Sequence, residues 1–264
     1  MNNYIPYHIH DDTSNCNGYA DSCTNYKEYI KLAKKQGVSA IAFSNHGGTY
    51  DWVKKKQDCD KAGIKYIHGI ELYLCTKLEA DERGYHIGLY ARNWDGVKEL
   101  NKLFAISTSK GKERVKDDGE KDKTDRHFYY NPRISMEELM NTSENIIITT
   151  ACLASILWQC KYTKKKENLS EEEICIENDN WLINRNLLLE WMSKNNNRCF
   201  LEVQYHNADN QKEYNQLLYK WSKQYDIPLI TGTDTHSSTP YKAECRKILQ
   251  ISKDSFYGEE DEFD

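Results

Sequence analysis

The sequence predicts an α/β fold, a distorted (β/α)7 TIM-like barrel. Short apolar runs of strand length alternate with amphipathic stretches of helical length along the chain, the pattern of parallel β/α units. Seven such runs are visible, and six of them end at or within a few residues of a His, Glu, Asp or Cys. In a β/α barrel that end of the strands carries the chemistry.

The elements follow in order. Tyr4-Ile5-Pro6 leads into Tyr7-His8-Ile9-His10 as a first strand, whose alternation turns His8 and His10 to one face. By itself this spacing fits two half-exposed strand histidines as well as a metal grip, so other ligands must decide. A polar loop, Asp11 to Asp21, precedes a helix from about Asn25 to Lys35. Tyr26, Tyr29, Ile30 and Ala33 form its apolar stripe, Thr24 its N-cap and Gly37 its stop. Ser39 to Phe43 is a buried-type strand running into Ser44-Asn45-His46, followed by a helix from roughly Tyr50 to Ala62. Lys65 to Leu74 is the third strand, in which Gly69 marks a bulge or a close approach.

The fourth strand, Ile87 to Ala91, has His86 before it and Arg92 after it, and Asp95 to Thr108 is the next helix. His86 fits the pattern only if that strand starts earlier or its loop folds inward. Residues 111–126 are almost wholly charged and read as a solvated, mobile loop, with His127 exposed at its edge. Asn145 to Thr150 is strand five, ending at Ala151-Cys152. A second charged insertion, 161–173, precedes a helix near Trp181 to Met192. Cys199 to Gln204 is strand six, ending at Tyr205-His206; Glu202 and Gln204 share a face that the sequence leaves unassigned. After a helix from Gln211 to Tyr225, Pro228 to Gly232 is strand seven, ending at Asp234-Thr235-His236.

Bulk properties narrow the function. A length of 264 residues without a Pro/Gly/Ser-rich linker suits one large domain, here residues 1–252 with an acidic tail at 253–264. With 36 basic and 41 acidic residues the net charge is −5, which excludes a strongly basic nucleic-acid binder. Nine cysteines, an odd number with no CxxC pair, point to reduced thiols in a cytoplasmic setting rather than a disulfide scaffold. Apolar runs such as Ile146-Ile147-Ile148 are far too short to span a bilayer, so no membrane partner is expected.

Asp234-x-His236 repeats the logic of His8-x-His10, since same-face alternation lets a carboxylate and an imidazole share one ion. These pairs together with His46, Glu71, His86, Cys152 and His206 exceed what one tetrahedral metal needs and predict two or three ions. Imidazole and thiolate ligands favour zinc or manganese, with magnesium or iron as further options. His68, one pleat from Glu71, reads as structural. Arg92 reads either as a bidentate phosphate grip or as a surface ion pair.

The series HIHDDTSN, AIAFSNHGG, GIELYL, HIGLYARN, FYYNPRISMEEL, ITTACLAS, FLEVQYHN and TGTDTHSS resembles, in this order, the PHP (polymerase and histidinol phosphatase) domain. It is most similar to the form at the N-terminus of bacterial-type DNA polymerase III alpha subunits, over about residues 4 to 252; Glu244 to Ser252 resembles the segment leaving that domain. The resemblance implies a PHP-type barrel with metal ligands at His8, His10, His46, Glu71, His86, Cys152, Asp234 and His236, and His206 as a ligand or phosphate contact. It also implies an acidic ligand in the first loop, assigned to Asp21 with Asn17 as the competing alignment. Asn45 departs from the Asp that many members carry before this histidine, and the first loop is longer than usual.

The implied activity is metal-dependent phosphoester hydrolysis, a proofreading-type 3′–5′ exonuclease acting on the 3′ end of DNA. His206 or His236 would protonate the leaving oxygen, Arg92 would hold phosphate, and a polymerase body or replisome protein would be the partner. The alternatives are a histidinol-phosphatase-like phosphomonoesterase and an inactive PHP module with a structural or docking role.

Overall fold

The computed structural model describes residues 4–17, 21–79, 83–115, 121–124, 126–159 and 171–252; the expected acidic tail, most of the second insertion and the side chain of Asn17 lie outside the described residues. After the opening segment, a 3-10 turn (Asp12–Asn17) leads to α1 (Tyr26–Lys35), β1 (Ala40–Phe43), α2 (Trp52–Ala62), β2 (Lys65–Cys75), β3 (Tyr85–Ala91) and α3 (Trp94–Ser107). Next come β4 (Lys112–Val115), β5 (Lys121–Thr124), β6 (Phe128–Tyr129), β7 (Asn131–Ser135), α4 (Met136–Met140), β8 (Ile146–Thr149) and α5 (Ile156–Gln159). The remainder is α6 (Glu171–Lys194), β9 (Cys199–Gln204), α7 (Asp209–Tyr225), β10 (Leu229–Gly232) and α8 (Pro240–Ser252).

Local chemistry sets these boundaries. α1 buries Tyr26, Tyr29, Ile30 and Ala33, and its N-cap is Asn25 rather than the expected Thr24, because the Asn25 side chain accepts from the Lys27 amide. Gly63 takes the left-handed conformation (φ 74°) that ends α2. All four residues of β1 are buried, as its unbroken apolar run requires.

The main sheet runs β10-β9-β8-β3-β2, and β1 pairs with the first half of β2. The opening segment closes the ring without forming a regular strand. The Ala42 amide donates to the Pro6 carbonyl (3.1 Å) and the Ser44 amide to that of Ile9 (2.9 Å) on one side. On the other, the His10 amide donates to the Thr235 carbonyl (2.8 Å) and the Thr235 amide to that of His8 (3.0 Å). With this segment counted, seven staves complete a distorted barrel.

One stave runs backwards. β3 is antiparallel to both β2 and β8, where a parallel neighbour was expected. The cause is the connection: residues 76–84 are too few for a crossover, which takes about a dozen residues or more. The reversal puts His86 at the same end of the barrel as the C-termini of the parallel strands. It carries Arg92 to the other end, roughly 20 Å away along the strand.

Two further expectations are corrected. Within 111–126, β4 and β5 pair as an antiparallel ladder rather than a loop, in a register that sets Glu113 opposite Lys123 and Arg114 opposite Asp122. His127 is buried, not exposed, and its Nε2 lies 2.8 Å from Glu138 Oε1.

The larger apolar core lies between the sheet and α3, α6 and α7, around Leu72, Leu89, Leu100, Ile148, Leu189 and Leu218. A second cluster sits under α1 and α2 around Ile9, Tyr29, Ile41 and Phe43. Among the described residues no helix is long and apolar enough to cross a membrane. α3 starts close against the sheet: a Cβ at Gly96 would stand 2.4 Å from the Asn145 carbonyl oxygen and 3.2 Å from the Ala91 Cα. Neither backbone atom can swing aside, so Gly96→Ala is expected to cost about 1–3 kcal/mol of stability, read as a lower urea midpoint at unchanged slope.

Candidate metal centre

The site is built at the end of the barrel where the parallel strands finish. Ile9 points into the apolar cluster behind the opening segment, so His8 and His10 on either side of it point inward, both fully buried. Glu71 comes from β2 and bridges in parallel to His46, which follows β1. β3 contributes His86, the segment after β10 contributes Asp234 and His236, and the loop before α1 contributes Asp21.

Eight of the predicted ligands converge into three groups that can each hold a metal ion: His10, Asp21, His46 and His236; His8, His10, Glu71 and Asp234; and His46, Glu71 and His86. The groups share members. Glu71 Oε2 lies 2.9 Å from His8 Nε2 and 3.2 Å from His10 Nε2, while its Oε1 faces His46 Nδ1 at 3.8 Å and contacts His86 Nδ1. Asp234 Oδ1 is 3.2 Å from Nε2 of both His8 and His10. Asp21 Oδ1 meets His236 Nε2 at 2.9 Å, and its Oδ2 faces His46 Nε2 at 3.4 Å and His10 Nδ1 at 3.7 Å.

This donor set fits divalent cations. His10 Nε2, Asp21 Oδ2, Glu71 Oε1 and Asp234 Oδ1 are buried and make no hydrogen bond within the described residues, an arrangement that is costly unless a cation joins them. Nitrogen and carboxylate oxygen are the ligands of zinc, manganese and iron alike, so the donors define the ion class rather than one metal.

A second layer orients the first. His8 Nδ1 donates to Glu202 Oε1 at 2.5 Å, which turns Nε2 toward Glu71 and Asp234, the usual carboxylate–histidine arrangement of metal sites. Gln204 Nε2 donates to the same oxygen (2.9 Å), and the Glu202 amide donates to Thr150 Oγ1 (2.9 Å). His236 Nδ1 donates to the Asp234 carbonyl (2.8 Å), and His10 Nδ1 pairs with Ser14 Oγ (3.0 Å). Asn45 orders the first loop: its Oδ1 accepts from the Asp11 amide and from Ser14 Oγ, and its Nδ2 donates to Asp11 Oδ1. From the last helix, Arg246 Nε donates to the Asp21 carbonyl (2.6 Å), and Ser22 Oγ donates to that of His236 (2.7 Å).

Burial would raise the carboxyls of Asp21, Glu71 and Asp234, yet the surrounding histidines outweigh it and hold all three well below the ordinary range. Burial opposes charge on His8, but Glu202 and Asp234 lift it well above its usual value. His10 is likewise opposed by burial and carried up to about 9 by its contacts with Asp234 and Glu71. Burial pulls His46 down, offset only in part by Asp21, and it pushes the Cys152 thiol well up, together with the Asp234 and Glu71 charges.

The other predicted residues fall outside the three groups. Cys152 is buried at the margin, its Sγ 3.5 Å from His86 Nδ1. His206 is half-buried just past the end of β9. Arg92 is exposed, and its Nη2 donates to the Asn197 carbonyl (2.9 Å) at the opposite end of the barrel, which removes the expected phosphate role. Glu202 is the residue that sequence reasoning left unassigned. Its signal was parity, since Glu202 and Gln204 alternate onto one face of β9.

Barrel and cluster together define a class: α/β barrels with a buried histidine and carboxylate cluster at the strand ends that could hold divalent metal. The chain belongs to the PHP domain family, whose model, described as "PHP domain", matches residues 6–206. It is 30% identical over 254 residues to the DNA polymerase III subunit alpha of Borreliella burgdorferi and 26% identical over 262 residues to that of Aquifex aeolicus. In both cases the match covers 93% of this chain but 19% of the relative, so the chain spans about a fifth of their length. A solved structure from Bifidobacterium adolescentis, described as a "putative metal-dependent phosphoesterase", aligns at 13% identity with a TM-score of 0.48 over 89% of each chain.

Two outcomes follow from this geometry. A Cβ at Gly232 would lie 2.0 Å from Glu202 Oε1, and that side chain is already fixed by His8 and Gln204. Gly232→Ala is therefore expected to weaken metal binding on the order of 10- to 100-fold, as Glu202→Gln would, in competition with a chromogenic chelator. Wild-type affinity in both variants would show that Glu202 does not orient His8. With its value raised to about 9, His10 is protonated at pH 7 in the metal-free protein and must lose that proton to become a ligand. Affinity should therefore rise with pH up to about 9, and calorimetry in buffers of different ionisation enthalpy should register proton release on metal addition.

Proposed function

We propose that this chain is a metal-dependent phosphoesterase that hydrolyses phosphodiester bonds at the 3′ end of DNA, working beside a DNA polymerase III alpha-type polymerase body. The observation that carries the reading is the sharing of ligands: Glu71 turns one oxygen to each of two metal groups and His10 and His46 each serve two, so ions held there would be neighbours. Neighbouring divalent ions supply charge neutralisation at the non-bridging phosphate oxygens and activation of a water for in-line attack. The link to DNA rests on the relatives, which are DNA polymerase III alpha subunits.

The chain's own residues divide the remaining work. Glu202 holds His8 in one tautomer, Ser14 supports His10, and the Asp234 carbonyl fixes His236, so the ligands are set before substrate arrives. Because His236 Nε2 faces Asp21, His236 is better suited to binding metal than to moving protons. His206, half-buried at the rim and outside the ligand groups, is the side chain suited to protonate the leaving 3′ oxygen.

The test follows release of nucleotides from a 3′-labelled single strand in the presence of manganese or zinc. Wild type should release the label, Asp234→Asn should reduce release by at least about a hundredfold by removing a ligand of the shared group, and His206→Ala should lower it roughly 10²-fold with metal content unchanged. Release of phosphate from small monoesters with DNA left intact would move the substrate to phosphomonoesters. A metal-loaded protein that hydrolyses neither would leave a docking module.

A further inference from the structure

Beside the metal cluster stands a group of arginines and tyrosines that the hydrolytic chemistry does not use. β7 extends the sheet along the second half of β2, with Arg133 paired to Tyr73 on one side while Tyr73 pairs with His86 on the other. Residues directly opposite one another in a sheet share a face, so Arg133, Tyr73 and the cluster member His86 form one row on the inner face, two inter-strand spacings or roughly 10 Å long. The Tyr73 ring stands edge-on to His86 at 5.0 Å.

Arg133 is fully buried and acts as a tie. It donates to the carbonyls of His127 (3.0 Å), Leu78 (2.7 Å) and Arg126 (2.6 Å), pinning residues 126–127 against the loop after β2. From this base, β6 ends at Tyr129 and the turn into β7 carries Tyr130, their rings perpendicular at 4.8 Å. The Tyr129 ring is flanked by the guanidinium carbons of Arg126 at 4.4 Å and Arg133 at 5.4 Å, and the Tyr130 ring by that of Arg83 at 5.0 Å. Tyr130 is 62% exposed and sits at φ 58°, a left-handed conformation that a bulky residue seldom adopts. The backbone is thus held in an unfavourable shape with an aromatic ring displayed to solvent. On the far side of this group, Glu138 pairs with His127 and caps α4.

We propose that Arg83, Arg126, Tyr129 and Tyr130 form a binding platform for a single-stranded polynucleotide, with a base stacked on Tyr130 and backbone phosphates on the two arginines. An exposed aromatic ring set among guanidinium groups, as Tyr130 is, with the half-buried Tyr129 behind it, is the chemistry of sequence-tolerant single-strand binding. Arginine also pairs with phosphate in two-point fashion. The acidic chain as a whole repels nucleic acid, so a local patch of this kind is what would give it a foothold. That the bound strand is then led toward the cluster rests on the phosphoesterase reading above; strand binding itself does not.

Fluorescence anisotropy of a labelled 12-nucleotide DNA strand, at low salt and with the metal-loaded chain, tests the platform. Tyr130→Gly removes the ring at a position whose backbone suits glycine, and Tyr130→Phe keeps it. Tyr130→Gly is expected to weaken binding on the order of tenfold or more while Tyr130→Phe binds as wild type. Replacing both Arg83 and Arg126 by Gln should shallow the slope of log affinity against log salt by about 1.4. No binding by the wild type, or equal binding by Tyr130→Gly, overturns the proposal. Asp234→Asn separates the two readings: loss of nucleotide release with strand binding intact supports both, whereas binding without release even by the wild type leaves the platform standing and the exonuclease reading fallen.

Discussion

The centre depends on the register in which the opening segment lies between β1 and the residues after β10. Two backbone bonds, His10 to Thr235 and Thr235 to His8, set it on one side, and the contacts of Pro6 and Ile9 with Ala42 and Ser44 set it on the other. With Ile9 in the apolar cluster, His8 and His10 have to face the barrel axis, opposite Asp234. A slip of one residue would turn both imidazoles into the core and bring Ile9 to the metals, so packing and ligand geometry select the same register. The hydrophobic effect therefore helps to position the ligands, although the ligands themselves are polar.

Charge gives the same region a second constraint. Asp21, Glu71, Glu202 and Asp234 are all buried in one small volume with the histidines that face them. Burying several carboxylates is costly unless each finds a cation, and a protonated histidine or a metal ion can serve. The raised values of His8 and His10 and the lowered ones of Asp21, Glu71 and Asp234 are two views of that compensation. Metal uptake is then an exchange of protons for ions within a fixed frame of donors.

Much of this was legible in the sequence, and the gaps have identifiable causes. Strand ends can be read from apolar runs, which is why the sequence alone groups His8, His10, His46, Glu71, Asp234 and His236. Strand direction could not be read that way, because an apolar run looks alike in either sense; the short connection of residues 76–84 carried the information, and it separates His86 from Arg92. The β4–β5 ladder was hidden by charge, since composition reports solvation and not pairing. His127 and Arg133 were obscure for the opposite reason: each is a polar residue whose burial is made tolerable by partners distant in sequence, Glu138 for one and three carbonyls for the other. Asp21 was reached through resemblance, and spacing alone gave no reason to prefer it in a loop of many polar residues.

The bond from Arg246 to the Asp21 carbonyl also has a meaning in time. His8 and His10 are made well before Arg246, which follows 236 residues after His10. At the usual pace of bacterial-type synthesis that interval is roughly ten to fifty seconds. Until it ends, the loop bearing Asp21 lacks its anchor on the last helix, and Asp234 and His236 themselves arrive only shortly before. Through that interval the nascent chain has His46, Glu71 and His86 but lacks the partners that complete the other two groups. An ion that needs Asp21, Asp234 or His236 would therefore be taken up only once this late stretch of the chain has been made and docked.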